Sequence, residues 1–178
     1  MNKIAIIGCG GAGKSSLSIS LGNSLSLPVH HLDCMFWNPD WIPGDRDEFI
    51  KKQEIIFARD RWIMDGNYGN TMDIRLENAD TIIFLDLPSI VCLWGVIKRY
   101  FKFRNKTRPD MTEGNNERIT FEFLNYVWTY RRHRQPLVMK KLKALSQSKK
   151  IIILKTRREI KAFQNKTANS QISMTKLN

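Results

Sequence analysis

The feature that most constrains this chain is the octapeptide Gly8-Cys9-Gly10-Gly11-Ala12-Gly13-Lys14-Ser15, set between an apolar run and a helix-length segment. As G-x-x-x-x-G-K-[ST] it is a P-loop. In that reading, backbone N–H groups of a glycine-rich turn wrap phosphate oxygens, Lys14 reaches the β and γ phosphates, and Ser15 ligates Mg²⁺. The same residues also satisfy G-x-G-x-x-G through Gly8, Gly10 and Gly13, a dinucleotide fingerprint, with Asp33 20 residues past Gly13 where a ribose-binding acid belongs. Both templates need a strand before and a helix after. Lys14-Ser15 separates them, because phosphoryl transfer depends on such a lysine and a dinucleotide site does not. The residues expected to hold the nucleotide are therefore Gly8, Gly10, Gly11, Ala12, Gly13, Lys14, Ser15 and Ser16.

The rest of the pattern supplies the scaffold for such a loop. Strands are expected at Lys3–Ile7, Val29–Leu32, Trp62–Met64, Thr81–Leu85 and Ile151–Leu154. Helices are expected at Lys14–Leu25, Arg46–Arg59, Thr71–Asn78, Ser89–Phe103, Ile119–Gln147 with a break or kink at Pro136, and Thr156–Phe163. The runs IAII, TIIFL and IIIL do not alternate, as befits parallel strands buried on both faces. Alternating strands and helices imply a three-layer α/β fold around a parallel sheet. Ligands of such sheets bind at the carboxyl ends of the strands. Those ends read Gly8, Asp33, Asp65 and Asp86. Asp65 is expected to ligate or orient Mg²⁺, as Ser15 does. Asp33 would bind water held by Mg²⁺ or accept the proton of an attacking hydroxyl, and Asp86 is read as structural.

Charge divides the chain. Residues 1–95 carry 8 Lys and Arg against 12 Asp and Glu, net −4, while residues 96–178 carry 21 against 5, net +16. Such a block implies an anionic partner, whether nucleic acid, a membrane surface or a small polyanion such as a nucleotide, and composition does not choose among them. Four of its cations fall in residues 104–118, polar and aperiodic with Pro109 and Gly114, which read as a mobile lid. Arg99 and Arg104 flank the lid's start, Lys106 and Arg108 lie inside it, Arg118 closes it, and Arg131, Arg132 and Arg134 follow on a helix. Arg99, Arg104 and Arg131 are the arginines assigned to catalysis, beside Lys14 and Asp33. The organisation read here is one domain over 1–163 and a polar tail over 164–178 on which no structure is forced. Three cysteines without ligand spacing, no cleavage signature and no apolar run of ~20 residues point to a cytoplasmic protein that does not enter a membrane.

The P-loop, the segment WIMDGNY, the loop RPDMTEG and the arginine-rich helix after it resemble the adenylate-kinase-related P-loop proteins known as DNA topology modulation proteins. The resemblance spans about residues 3–163 and implies a nucleotide-kinase-like fold with core, lid and acceptor region. It implies ATP and Mg²⁺, a small nucleoside- or nucleotide-like acceptor, and transfer of the γ-phosphoryl group. Where an adenylate kinase has Phe-Pro-Arg after the strand aspartate, this chain has Asn67-Tyr68, which leaves Arg75 to grip an acceptor phosphate. The short aromatic region Asp33–Trp41 suits a planar or apolar acceptor. Two other functions follow from the same residues: a nucleotide-binding regulator that contacts DNA through its basic half, and a dinucleotide-dependent enzyme.

Overall fold

Three unalternated apolar runs call for a sheet covered on both faces. The computed structural model describes residues 1–169 in full and 170–175 as backbone. In chain order the elements are β1 (Lys3–Gly8), α1 (Lys14–Leu25), β2 (Val29–His31), α2 (Leu32–Phe36), β3 (Trp37–Asn38), β4 (Ile42–Pro43), α3 (Arg46–Phe57), β5 (Trp62–Asp65), α4 (Gly69–Asn78), β6 (Thr81–Leu85), α5 (Ser89–Phe103), α6 (Phe121–His133), α7 (Gln135–Leu145), β7 (Lys150–Leu154) and α8 (Arg157–Thr175). The main sheet runs β2-β5-β1-β6-β7 and is parallel throughout. Side chains alternate across β1, so Ile4 and Ile6 enter one core with Leu17, Leu21, Val96, Val127 and Ile160. Ala5 and Ile7 enter the other with Phe49, Trp62, Leu76, Phe84 and Leu142. Helices α1, α5, α6 and α8 thus cover one face and α3, α4 and α7 the other. Each fully buried aliphatic side chain contributes about 1.5–3 kcal/mol.

The strand order decides between the two glycine templates. In the dinucleotide fold the second strand lies beside the first. Here β5 stands between β1 and β2, so β2 is the sheet edge. An acid after β2 is therefore displaced by a whole strand from the ribose position. The order also reverses at β1, whose neighbours β5 and β6 lead to opposite edges, and the crevice forms at that switch. Among the described residues no helix is long and apolar enough to cross a membrane.

Several boundaries differ from expectation. β2 ends at His31, and Asp33 lies in the first turn of α2. The aromatic stretch after it forms a two-residue hairpin, β3 with β4, around a turn in which Asp40 and Trp41 have φ of 61° and 59°. Pro136 sits in the first turn of α7, where its missing N–H costs nothing, and separates α6 from α7. The polar tail is the largest change. Residues 164–175 continue α8 because Ile160, Phe163 and Thr167 keep one helix face against the core, with Thr167 only 7% exposed. Residues 176–178 of that tail lie outside the described residues.

Candidate functional site

The loop between β1 and α1 takes its shape from two glycines. Gly11, at φ 75°, lies so close to α5 that a Cβ would stand 2.1 Å from the carbonyl oxygen of Cys92. Gly13, at φ 97°, opens α1 as its N-cap. The amides of the first turn point outward with the positive end of the helix dipole behind them, and no acid occupies that turn. Lys14 Nζ folds back over the loop and donates to Gly8 O at 2.9 Å and Cys9 O at 3.1 Å. Gly10, Gly11, Gly13, Lys14, Ser15 and Ser16 all line one cavity of about 870 Å³. Gly8 and Ala12 stand behind it. Gly8 N–H donates to Asn67 Oδ1 at 3.0 Å, and Ala12 is part of the core.

The cavity has two flanks. On the β6–β7 side it is lined by Gly95, Lys98, Arg99 and Lys102 of α5 and by Arg157 at the start of α8. Arg157 donates to Ala12 O at 2.6 Å and Gly11 O at 2.7 Å, tying α8 to the P-loop. On the β2–β5 side stand Asp33, Trp37, Asp65, Asn67 and Tyr68. Asp65, at the end of β5, is 4% exposed and accepts the Ser18 hydroxyl and His31 Nδ1, the latter at 2.7 Å. Burial disfavours protonated His31. The Asp65 bond and the charges of Asp65, Asp110 and Asp33 outweigh it, so the imidazole pKa is raised. Asp33 accepts from Tyr68 Oη at 2.8 Å, and burial followed by the Asp33 charge pushes that phenol up. Asn67 bridges the flank to α6 by donating to Tyr126 Oη at 2.9 Å.

Residues 104–118 close over this side as a packed structure. Glu117, its side chain 1% exposed, lies between Arg99 Nε at 2.8 Å and Arg108 Nε at 2.7 Å. Arg108 also pairs with Asp110 at 3.0 Å and with Asp33 at 3.8 Å. Burial alone would push the Asp110 carboxyl up. The Arg108 charge and a hydrogen bond from Ser15 hold it below its ordinary value instead. The same segment grips the β3–β4 hairpin. Asn115 accepts from Trp41 N at 2.6 Å and donates to Asn38 O at 2.9 Å, while Arg118 stacks 4.6 Å over the Trp41 ring.

Of the residues expected from sequence, Lys14, Ser15, Asp33, Asp65 and Arg99 meet in the cavity. Arg104 and Arg131 do not. Both are exposed on the outer surface, one where α5 hands over to the lid and one on the outward face of α6. Arg75 is also corrected: it is 0% exposed and donates to Gly66 O and Asn67 O, both at 3.2 Å, so it supports the loop after β5 from below. Asp86 lies off the cavity and accepts from Gln135 Nε2 at 3.4 Å, a structural contact. Sequence reasoning missed Arg157, Asp110 and Glu117 as site residues. Arg157 carried one usable signal, a cation three residues past a strand's carboxyl end.

No protein-family model matches the chain, and no curated protein matches it in sequence. Among solved structures it is similar to a shikimate kinase from Acinetobacter baumannii in complex with shikimate, with TM-score 0.55 and 17% identity over 97% of this chain and 94% of that one. It is also similar to a gluconokinase from Sinorhizobium meliloti 1021, with TM-score 0.50 and 15% identity over 97% of each chain. At these identities the likeness is one of fold. The five-stranded parallel sheet with helices on both faces is the α/β fold of P-loop kinases.

Proposed function

We propose that this chain is an ATP-dependent phosphotransferase that moves the γ-phosphoryl group to a hydroxyl of a small, nucleoside- or nucleotide-like acceptor. The observation that carries the reading is that Lys14 and Ser15 line the same cavity as Asp33. The P-loop amides and Lys14 hold the phosphates, while Asp33 orients the acceptor hydroxyl and receives its proton. Arg99 stabilises charge on the transferred group, and residues 104–118 act as a lid that excludes water. The working unit is the single domain read at residues 1–163 together with the rest of α8, which stays packed at Thr167.

Mg²⁺ fits the donor set. Ser15, Asp65 and Asp110 offer hard oxygen donors that line the cavity beside the P-loop. Among the described residues no three His, Cys, Asp or Glu side chains form a cage. That suits a cation that keeps several waters and shares phosphate oxygens with its substrate. When bound, it neutralises charge on the phosphates. Ser15 and Asp65 are the residues that would hold or orient it.

The test is ligand stabilisation followed by turnover. ATP·Mg²⁺ at 100 times its Kd is expected to add ~2.7 kcal/mol, with NAD inert, and ADP release is expected to rise with an acceptor. Stabilisation by NAD and not by ATP would overturn the reading.

The second reading is a nucleotide-binding regulator of DNA topology. It has its own support in the exposed Arg104, Arg131, Arg132 and Arg134, which lie outside the cavity. Duplex binding that survives about 150 mM salt, with a log K against log[salt] slope of about −5 or steeper and no dependence on ATP, would establish it instead.

A further inference from the structure

We infer that the acceptor is an uncharged hydroxyl compound, of the class of an unphosphorylated nucleoside, and that nucleotides, phosphosugars and carboxylic acids are excluded. The inference rests on the phosphotransferase reading and adds the charge of the second substrate. Binding a phosphate or carboxylate in a closed site takes a cation whose charge and N–H groups are free to meet it. The β2–β5 flank has no cation whose charge stands unopposed. Arg108 is the cation on it, its side chain 6% exposed; Glu117 lies 2.7 Å from its Nε, Asp110 3.0 Å from its Nη1 and Asp33 3.8 Å from its Nη2, so three carboxylates offset its charge. Arg99 is held by the same Glu117. Arg75 is fully buried: its terminal nitrogens donate to backbone carbonyls, Gln53 and Thr71, and its Nε is buried out of reach of the cavity.

What faces the cavity there is acceptor-rich and flat. Asp33 keeps 43% of its side chain exposed, and Asp65 and Asp110 stand behind it. Their carboxylates accept hydrogen bonds from hydroxyl or amino groups and repel an anion. Trp37 and Tyr68 provide the apolar wall, both packed on Phe36 with ring centroids 5.1 Å away. Asn67, the neutral polar group beside them, already uses both ends of its amide on Gly8 and Tyr126. A nucleoside matches all of this. Its base lies against aromatic rings, its sugar hydroxyls meet carboxylates, and one hydroxyl reaches Asp33. In the reaction that hydroxyl oxygen bonds to the γ-phosphorus, and the bond from phosphorus to the β–γ bridging oxygen breaks. ADP leaves with that electron pair. The hydroxyl proton passes to the Asp33 carboxylate and then to water.

The test is calorimetric titration of the full chain, saturated with a non-hydrolysable ATP analogue and Mg²⁺. The titrants are matched pairs: adenosine and thymidine against their 5′-monophosphates, and a hexitol against the corresponding aldonate. The expected result is that the uncharged member of at least one pair binds at least about tenfold more tightly than its anionic partner, with little change in Kd on raising the salt. In Asp33→Asn that preference should shrink, because one of the repelling carboxylates is gone. An anionic member binding equally or better, or no uncharged member binding while the ATP analogue still binds, overturns this inference and leaves the phosphotransferase reading standing. Failure to bind the ATP analogue is the separate result that removes both.

Discussion

The two flanks of the cavity solve opposite electrostatic problems with one sheet. On the β6–β7 side Lys98, Lys102 and Arg157 face the P-loop, and none of them belongs to an ion pair among the described residues. On the β2–β5 side Asp33, Asp65 and Asp110 face it, and the cation among them is already surrounded. A polyanion belongs on the first side and is repelled from the second. Much of the difference comes from which segments feed each edge: the cations of α5 and α8 are drawn from the basic half of the chain and Asp33 and Asp65 from the acidic half, while Asp110 reaches the acidic flank from the lid, within the basic half. Charge asymmetry along the sequence thus becomes charge asymmetry across one pocket. That accounts for part of the basic half without nucleic acid.

The largest expected break in this comparison is Lys14→Ala, which removes the cation between the two flanks. Its Nζ contacts loop carbonyls and no core side chain, so the fold should persist. ATP·Mg²⁺ stabilisation in a thermal-shift assay should vanish, and turnover should fall by about 1,000-fold. Retained ATP stabilisation would mean that the P-loop does not hold the phosphates.

Next in size is Asp33→Asn, which strikes the acidic flank alone. Acceptor-dependent ADP formation should fall by about 100-fold while acceptor-free ATP hydrolysis stays near the wild-type rate. Equal loss of both would assign Asp33 to the metal instead. Tyr68→Phe is the companion variant, because it removes only the hydroxyl that orients Asp33.

Third comes Glu117→Gln at the seam between flanks. The side chain is 1% exposed and separates Arg99 from Arg108. Removing its charge leaves two half-paired cations close together, at a cost of about 3 kcal/mol. The chain should melt earlier, and amide exchange over residues 104–118 should quicken. With Arg108 released, the preference for uncharged acceptors should weaken. Unchanged exchange in that segment would show that the Asn115 and Trp41 contacts hold the lid on their own.

How much of this was legible in the sequence follows from the range of each interaction. The P-loop, the strands and the three-layer fold are written in local patterns: glycine spacing, unalternated β-branched runs, an aspartate closing β5. The β3–β4 hairpin has two residues per strand, too few for any periodicity to register. The lid is polar and aperiodic and so reads as mobile, yet Asn115 fastens it to a hairpin some 75 residues earlier, at residues 38 and 41. The arginines assigned to catalysis from sequence show the same limit. Arg104 and Arg131 satisfied the composition argument as well as Arg108 did, and only the fold says which guanidinium turns inward. The α8 extension escaped because its inward face is thin, with Ile160, Phe163 and Thr167 doing the packing.

The smallest effect concerns His31, and its sign sharpens the picture of the acidic flank. His31 is the imidazole hydrogen-bonded to Asp65, and Asp110 and Asp33 add to its field, while the neighbouring His30 has a lowered pKa from burial, Arg59 and His31 itself. In the folded chain its pKa lies above the ordinary 6.5, so near neutrality the folded state binds more protons than the unfolded one. Stability from this group is therefore fully present below the unfolded value and is lost as pH rises through the folded value. His31→Gln keeps a donor for Asp65 but cannot titrate. The stability difference between wild type and His31→Gln, from urea melts between about pH 5.5 and about pH 8.5, should be greatest at the acid end and shrink toward the alkaline end. A difference that grows with pH would mean that burial prevails and His31 is held neutral. The carboxylates of this flank would then be too weakly felt to repel an anionic acceptor, and the exclusion drawn from them would fail with it.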